Sequence, residues 1–168
     1  MILSGSARPD GDTARVVASL QAGLTVPARI LDLAPLDLRP FSYGAGQADG
    51  FPSIVDAMLE SRAILFATPV YWYAMSGRTK TLFDRFTDLL SDRDERGRGR
   101  ALAGRQVWML AVGVDPHLPV GFEEPFRLTA DYLGMQWGGG LYVRSAEIMG
   151  SDAVRLADFA AAISQALP

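Results

Sequence analysis

The chain has no cysteine and one histidine, His117. The first absence removes thiol nucleophiles, zinc–thiolate sites and cysteine-held iron–sulfur clusters. The second leaves no histidine pair to hold a metal, so no metal site is expected. Long apolar runs are missing too. The longest, from Ala63 to Met75, contains Pro69 and falls well short of the ~20 residues a membrane span needs. The amino terminus, MILSGSARPDGD, has no basic segment followed by an apolar stretch, so no signal peptide is expected and a cytoplasmic location is. A formal net charge of −3 argues against general nucleic-acid affinity. What remains is 168 residues, 49% hydrophobic and 21% charged, a balance that suits one folded domain over residues 1–168.

Short apolar runs alternate with amphipathic stretches, the pattern of βαβ units around a parallel sheet. Strands are expected at Met1 to Leu3, Ala28 to Leu33, Ala63 to Ala67, Gln106 to Val112 and Gly140 to Arg144. Helices are expected from Asp12 or Thr13, either able to act as cap, to Ala22, then over Phe51 to Arg62, Gly77 to Leu90, Glu123 to Leu133 and Ser151 to Leu167. Ala34 to Gly50 reads as a long surface connection. Five strands and five helices imply a flavodoxin-like three-layer α/β/α fold with a five-stranded parallel sheet in the order 2-1-3-4-5. Ligands of such sheets bind beyond the carboxyl ends of the strands, near the switch between strands 1 and 3.

Three loops on that edge carry chemistry. Ser4-Gly5-Ser6-Ala7-Arg8-Pro9-Asp10-Gly11-Asp12-Thr13 offers hydroxyls, turn-forming glycines, a cation and free helix-start amides. That set suits a phosphate, and it also suits an ordinary βα turn. It is not a nucleotide-triphosphate loop, because the glycine spacing is wrong and Asp12 stands where a lysine is needed. The second loop, Ala67 to Gly77, holds Tyr71, Trp72 and Tyr73, flat surfaces for a flat ring, with Tyr73 expected to pack in the protein. The third, Gly113-Val114-Asp115-Pro116-His117, would lie beside it and offer backbone amides to the ring's polar edge. His117 reads as a solvated loop histidine, with a proton-donating role as the sharper alternative. Arg93 to Arg100 reads as a surface linker or as arginines for a nicotinamide cofactor's phosphates. Gly138-Gly139-Gly140 reads as room for close backbone contacts at the start of the last strand.

Ser4-Gly5-Ser6-Ala7-Arg8 with Gly11-Asp12-Thr13, then Thr68-Pro69-Val70-Tyr71-Trp72-Tyr73, Ser76-Gly77, Lys80 and Asp84-Arg85, resembles the NAD(P)H-dependent FMN reductase branch of the flavodoxin-like superfamily. The resemblance implies FMN phosphate at Ser4, Ser6, Ala7, Arg8, Thr13 and Ala14. It implies the isoalloxazine against Pro69, Val70, Tyr71, Trp72 and Tyr73 and against Gly113, Val114 and Asp115. It implies NAD(P)H as co-substrate, a small acceptor (quinone, flavin, azo or nitro compound) and a homodimer or homotetramer, with helix 3 and nearby loops at a two-fold axis. Asp12 departs from the family's neutral asparagine, so its side chain is expected to turn from the phosphate and cap helix 1. No catalytic side chain is expected, because the flavin carries the chemistry. The competing readings are a flavodoxin-like electron carrier without direct NAD(P)H use, and an interaction module that kept the fold and lost the flavin.

Overall fold

The computed structural model describes residues 1–43, 48–90, 97–147, 150 and 152–167. Its elements in chain order are β1 (Ile2–Ser4), α1 (Asp12–Gly23), β2 (Ile30–Asp32), α2 (Phe51–Leu59), β3 (Ala63–Tyr71), β4 (Ala74–Met75), α3 (Gly77–Arg85), α4 (Arg98–Ala101), β5 (Gln106–Gly113), α5 (Glu124–Tyr132), β6 (Gln136–Arg144) and α6 (Asp152–Gln165). Five parallel strands run in the order β2-β1-β3-β5-β6, and β4 pairs antiparallel with the end of β3. Leaving that short hairpin strand aside, the order is the expected 2-1-3-4-5.

Strict alternation sorts the central strands between two cores. Ile64 and Phe66 of β3, with Val107, Met109 and Ala111 of β5, pack among residues of α2, α3 and α5. Leu65 and Ala67, with Trp108, Leu110 and Val112, face Val16, Val17 and Leu20 of α1 and Leu156, Phe159 and Ile163 of α6. A ring cluster of Phe66, Phe83, Phe86 and Phe126 fixes α3 and α5 on the first face, with centroids 5.0–6.4 Å apart.

Four expected boundaries are corrected. β3 does not end at Ala67 but continues through Tyr71. Pro69 is tolerated because the β1 ladder stops at Ser4↔Ala67, so its missing N–H falls where that neighbour has ended. The helix expected to reach Leu90 stops at Arg85 and tightens into a 3₁₀ turn, Phe86–Leu89. The helix expected to reach Arg62 ends at Leu59. β6 starts at Gln136, so the three glycines lie inside the strand, and their close neighbour is a side chain. A Cβ on Gly138 would sit 2.3 Å from Trp108 Cε2, so the indole occupies that space.

Candidate active site

The site is built on the carboxyl edge, where β3 outruns β1. The Gly5 amide donates to the Ala67 carbonyl at 2.8 Å, the last tie between the two strands. Beyond it the chain must turn tightly, and a Cβ on Gly5 would lie 2.0 Å from Thr79 Oγ1. Ser6 Oγ then donates to the Arg8 carbonyl at 3.0 Å and accepts from the Arg8 amide at 3.3 Å, closing a small side-chain turn. The N-cap of α1 is Gly11, not Asp12 or Thr13, and no side chain caps the helix. The Asp12 carboxylate pairs with Arg15 at 3.4 Å instead. The first-turn amides of α1 therefore keep their donors at the positive end of the helix dipole, with no capping oxygen competing for them.

The second loop is pinned to the first by buried hydroxyls. Ser76 Oγ donates to the Gly5 carbonyl at 2.7 Å and, as N-cap of α3, accepts from the Thr79 amide at 3.3 Å. Its single proton is thereby committed, so Thr79 Oγ1, 3.0 Å away, is the donor of that pair. Thr68 Oγ1 accepts from the Ser76 amide at 3.0 Å and donates to the Pro69 carbonyl at 3.0 Å. Ser76→Ala removes a helix cap and leaves the Gly5 carbonyl without its donor. The variant should lose about 2 kcal/mol of unfolding free energy in urea titration, and a midpoint equal to the parent's would show the network to be idle.

Trp72 and Tyr73 form the two-residue turn between β3 and β4, with φ of 49° and 64°. Both side chains leave the protein, at 93% and 71% exposure, so Tyr73 is not packed as expected. A two-residue turn of this hand suits the twist of the strands but places its side chains outside the sheet.

Ser6, Arg8, Thr13, Pro69, Val70, Tyr71, Gly113 and Val114 line one cleft of about 190 Å³. Gly11, Asp12, Val112 and Ser145 line it as well. Ser145 follows the last strand, and no loop signal marks it in the sequence. Six expected residues do not line the cleft: Ser4, Ala7, Ala14, Trp72, Tyr73 and Asp115. Ser4 is buried in β1, where its carbonyl accepts from the Leu33 amide at 2.9 Å. The Asp115 carbonyl accepts from the Tyr142 hydroxyl at 2.8 Å. A larger cavity of about 410 Å³ lies at the opposite edge, between Met1, Leu24, Arg62 and Ile163, and shares no residue with this cleft.

Two arginine groups lie outside the cleft. Arg85, 2% exposed, pairs with the closed-off Asp49 carboxylate and with Asp88 at 2.7 Å, donates to the Arg39 carbonyl at 3.1 Å, and lies 4.6 Å over the Phe51 ring. Burial alone would raise the Asp49 carboxyl. Hydrogen bonds from Arg85 and from the Arg39 and Phe51 amides, with the Arg85 charge, hold it below its ordinary value. Of the run Arg93 to Arg100, residues 93–96 lie outside the described residues. Arg98 pairs with Asp56 of α2 at 3.8 Å, and α4 leads into the amino end of β5, away from the cleft. His117 is exposed. Among the described residues no cluster of histidine, aspartate and glutamate could hold a metal, and no helix is long and apolar enough to cross a membrane.

Three comparisons bear on this geometry. The family model for NADPH-dependent FMN reductase matches residues 1–147. A Bacillus subtilis protein, YwqN, named as an NAD(P)H-dependent FMN-containing oxidoreductase, is 27% identical over 145 residues, covering 82% of this chain and 80% of its own. The structure of Trp repressor binding protein from Bacillus subtilis superposes with a TM-score of 0.71 at 23% identity, over 99% of this chain and 96% of that one. General stress protein 14 of Treponema denticola, solved in complex with FMN, gives 0.67 at 18% identity over 99% and 97%.

Proposed function

This chain belongs to the NADPH-dependent FMN reductase family, an oxidoreductase with FMN as cofactor and NAD(P)H as donor, and we propose that the cleft at the carboxyl edge is where it works. One observation carries the placing: the uncapped amino end of α1 opens into the same cleft as the Pro69–Tyr71 and Gly113–Val114 backbone. A phosphate fits the first part, because the amides, the dipole and Arg8 all favour an anion. A flat ring fits the second, between the Pro69–Tyr71 wall and the Gly113–Val114 wall. Ser6 shapes the phosphate turn, Thr13 and Ala14 supply amides, and Arg8 supplies charge. Pro69, Val70 and Tyr71 form one wall, Gly113 and Val114 the other, with Asp115, Trp72 and Tyr73 beside the opening. Ala7 acts through the backbone of the turn, and Ser4 anchors the start of the turn in β1.

FMN, when bound, supplies acceptance of hydride from the nicotinamide and its delivery to a quinone, flavin, azo or nitro compound, the two partners using one face in turn by a ping-pong order. The protein holds the ring and leaves that face open; no proton-transfer side chain is needed for hydride transfer itself. We place this activity in a single domain spanning residues 1–168, in the cytoplasm, and in a homodimer or homotetramer. Support for association comes from an apolar groove of about 340 Å³ beside α3 and α5, where Leu90, Leu128 and Tyr132 are exposed.

The rival is an electron carrier that never meets NAD(P)H directly. Anaerobic mixing decides between them. The visible absorbance of the oxidised flavin should bleach with NADH or NADPH. A flavin that stays oxidised with both donors yet is reduced by dithionite leaves the carrier standing.

A further inference from the structure

Tyr142 stands in β6 with its ring nearly closed to solvent, at 8% exposure. Its hydroxyl donates to the Asp115 carbonyl at 2.8 Å. Gly113 rests on the same ring: a Cβ there would meet the Tyr142 oxygen at 2.8 Å and Cε2 at 3.1 Å, with Val70 Cβ at 3.2 Å. The phenol thus lies behind Gly113 at the end of β5, and Val70 of β3 packs against the same buried cluster. From these contacts we propose that Tyr142 is the positioning residue for the ring end of the cleft. It fixes the height and orientation of Gly113, Val114 and Asp115 and so sets how the backbone meets the flavin's edge. The inference rests on the placing of FMN in this cleft.

The ladder between β5 and β6 explains why such a tether is needed. Its last paired residues are Gly113↔Arg144, so strand pairing stops where the loop begins. The Tyr142 hydroxyl reaches two residues past that point. The peptide it holds is Asp115–Pro116, which has a carbonyl and no N–H, so the carbonyl is the only handle by which hydrogen bonding can orient it. The Tyr142 hydroxyl carries its proton at neutral pH by its ordinary value, and burial, then the Asp115 charge, raise it further. Val114 and Asp115 are exposed, so the bond from the Tyr142 hydroxyl reaches them from the protein side.

Tyr142→Phe keeps the ring under Gly113 and removes only the bond to Asp115. Gly113→Ala keeps the hydroxyl but sets a methyl 2.8 Å from it, so the loop and the phenol must move apart. Three measurements on each holoprotein test the proposal: the FMN dissociation constant, the flavin absorption maximum and the midpoint reduction potential. The melting temperature of the apoprotein is followed beside them. We expect Tyr142→Phe to bind FMN three- to tenfold more weakly, with a displaced absorption band and potential and little change in apoprotein melting. Gly113→Ala should act in the same direction and further. Parent-like affinity, spectrum and potential in both variants would overturn the role of Tyr142. A Thr13→Glu control separates this from the wider reading. If that variant retains FMN, the placing of the cofactor is wrong and the Tyr142 inference falls with it. If it loses FMN while Tyr142→Phe is unchanged, only the positioning role fails.

Discussion

Thr13→Glu should purify without flavin. Thr13 is buried at the second position of α1, in the wall of the cleft and beneath the uncapped first turn. A carboxylate there faces the place where the FMN phosphate is proposed to sit. Like charges about 4 Å apart at an effective dielectric near 20 repel by roughly 4 kcal/mol, or about a thousandfold in affinity. The same carboxylate favours the helix itself, because a negative charge in the first turn complements the dipole. Loss of flavin with the fold retained is therefore the expected pair of results, read by absorbance and circular dichroism. A full complement of FMN in this variant would remove the phosphate from α1.

The largest effect on stability is expected at Asp49. Its side chain is closed to solvent and takes hydrogen bonds from Arg85, from the Arg39 amide at 2.9 Å and from the Phe51 amide at 3.1 Å. Asp49→Ala strands a buried guanidinium with Asp88 as its remaining carboxylate, and should cost roughly 3–5 kcal/mol in urea unfolding. The pair also sets an acid dependence. Because the folded-state value of Asp49 is depressed, its contribution is complete above the ordinary aspartate range and is lost as pH falls through the folded value. Asp49→Asn should be less stable than the parent at neutral pH, and the gap should narrow on acidification. A gap that stays constant from neutral pH to about pH 3 would show that Asp49 does not titrate with unfolding.

The parts of this molecule that could be read from sequence are those with short-range causes. The apolar runs around Ala63 to Ala67 and Gln106 to Val112 mark buried parallel strands by composition alone. Three loops following them then share one edge by topology. The β3–β4 hairpin was hidden because its turn is Trp72-Tyr73, without the glycine or asparagine that normally signals left-handed backbone. Gly11 as N-cap was hidden behind better capping residues next to it. The Arg85–Asp49 pair joins positions 36 residues apart, and no periodicity of either segment points to the other. The wall residue Ser145 depends on where β6 ends, which the sequence places correctly at Arg144 without indicating that the next residue turns toward the cleft.

The contact between Trp108 and Gly138 has a consequence for how this sequence can change over time. The indole takes the volume a side chain at 138 would need, and it packs edge-on against Phe159 at 5.5 Å between centroids. A side chain gained at 138 while Trp108 remains has to displace a buried ring. The same gain after Trp108 has become smaller fills a hollow instead. The two positions are thus linked in order: a step at 108 opens the path to 138, and the reverse order is blocked. Lineages descending from this chain should inherit the pair as one unit, and exchange it only through an intermediate that has first given up the tryptophan.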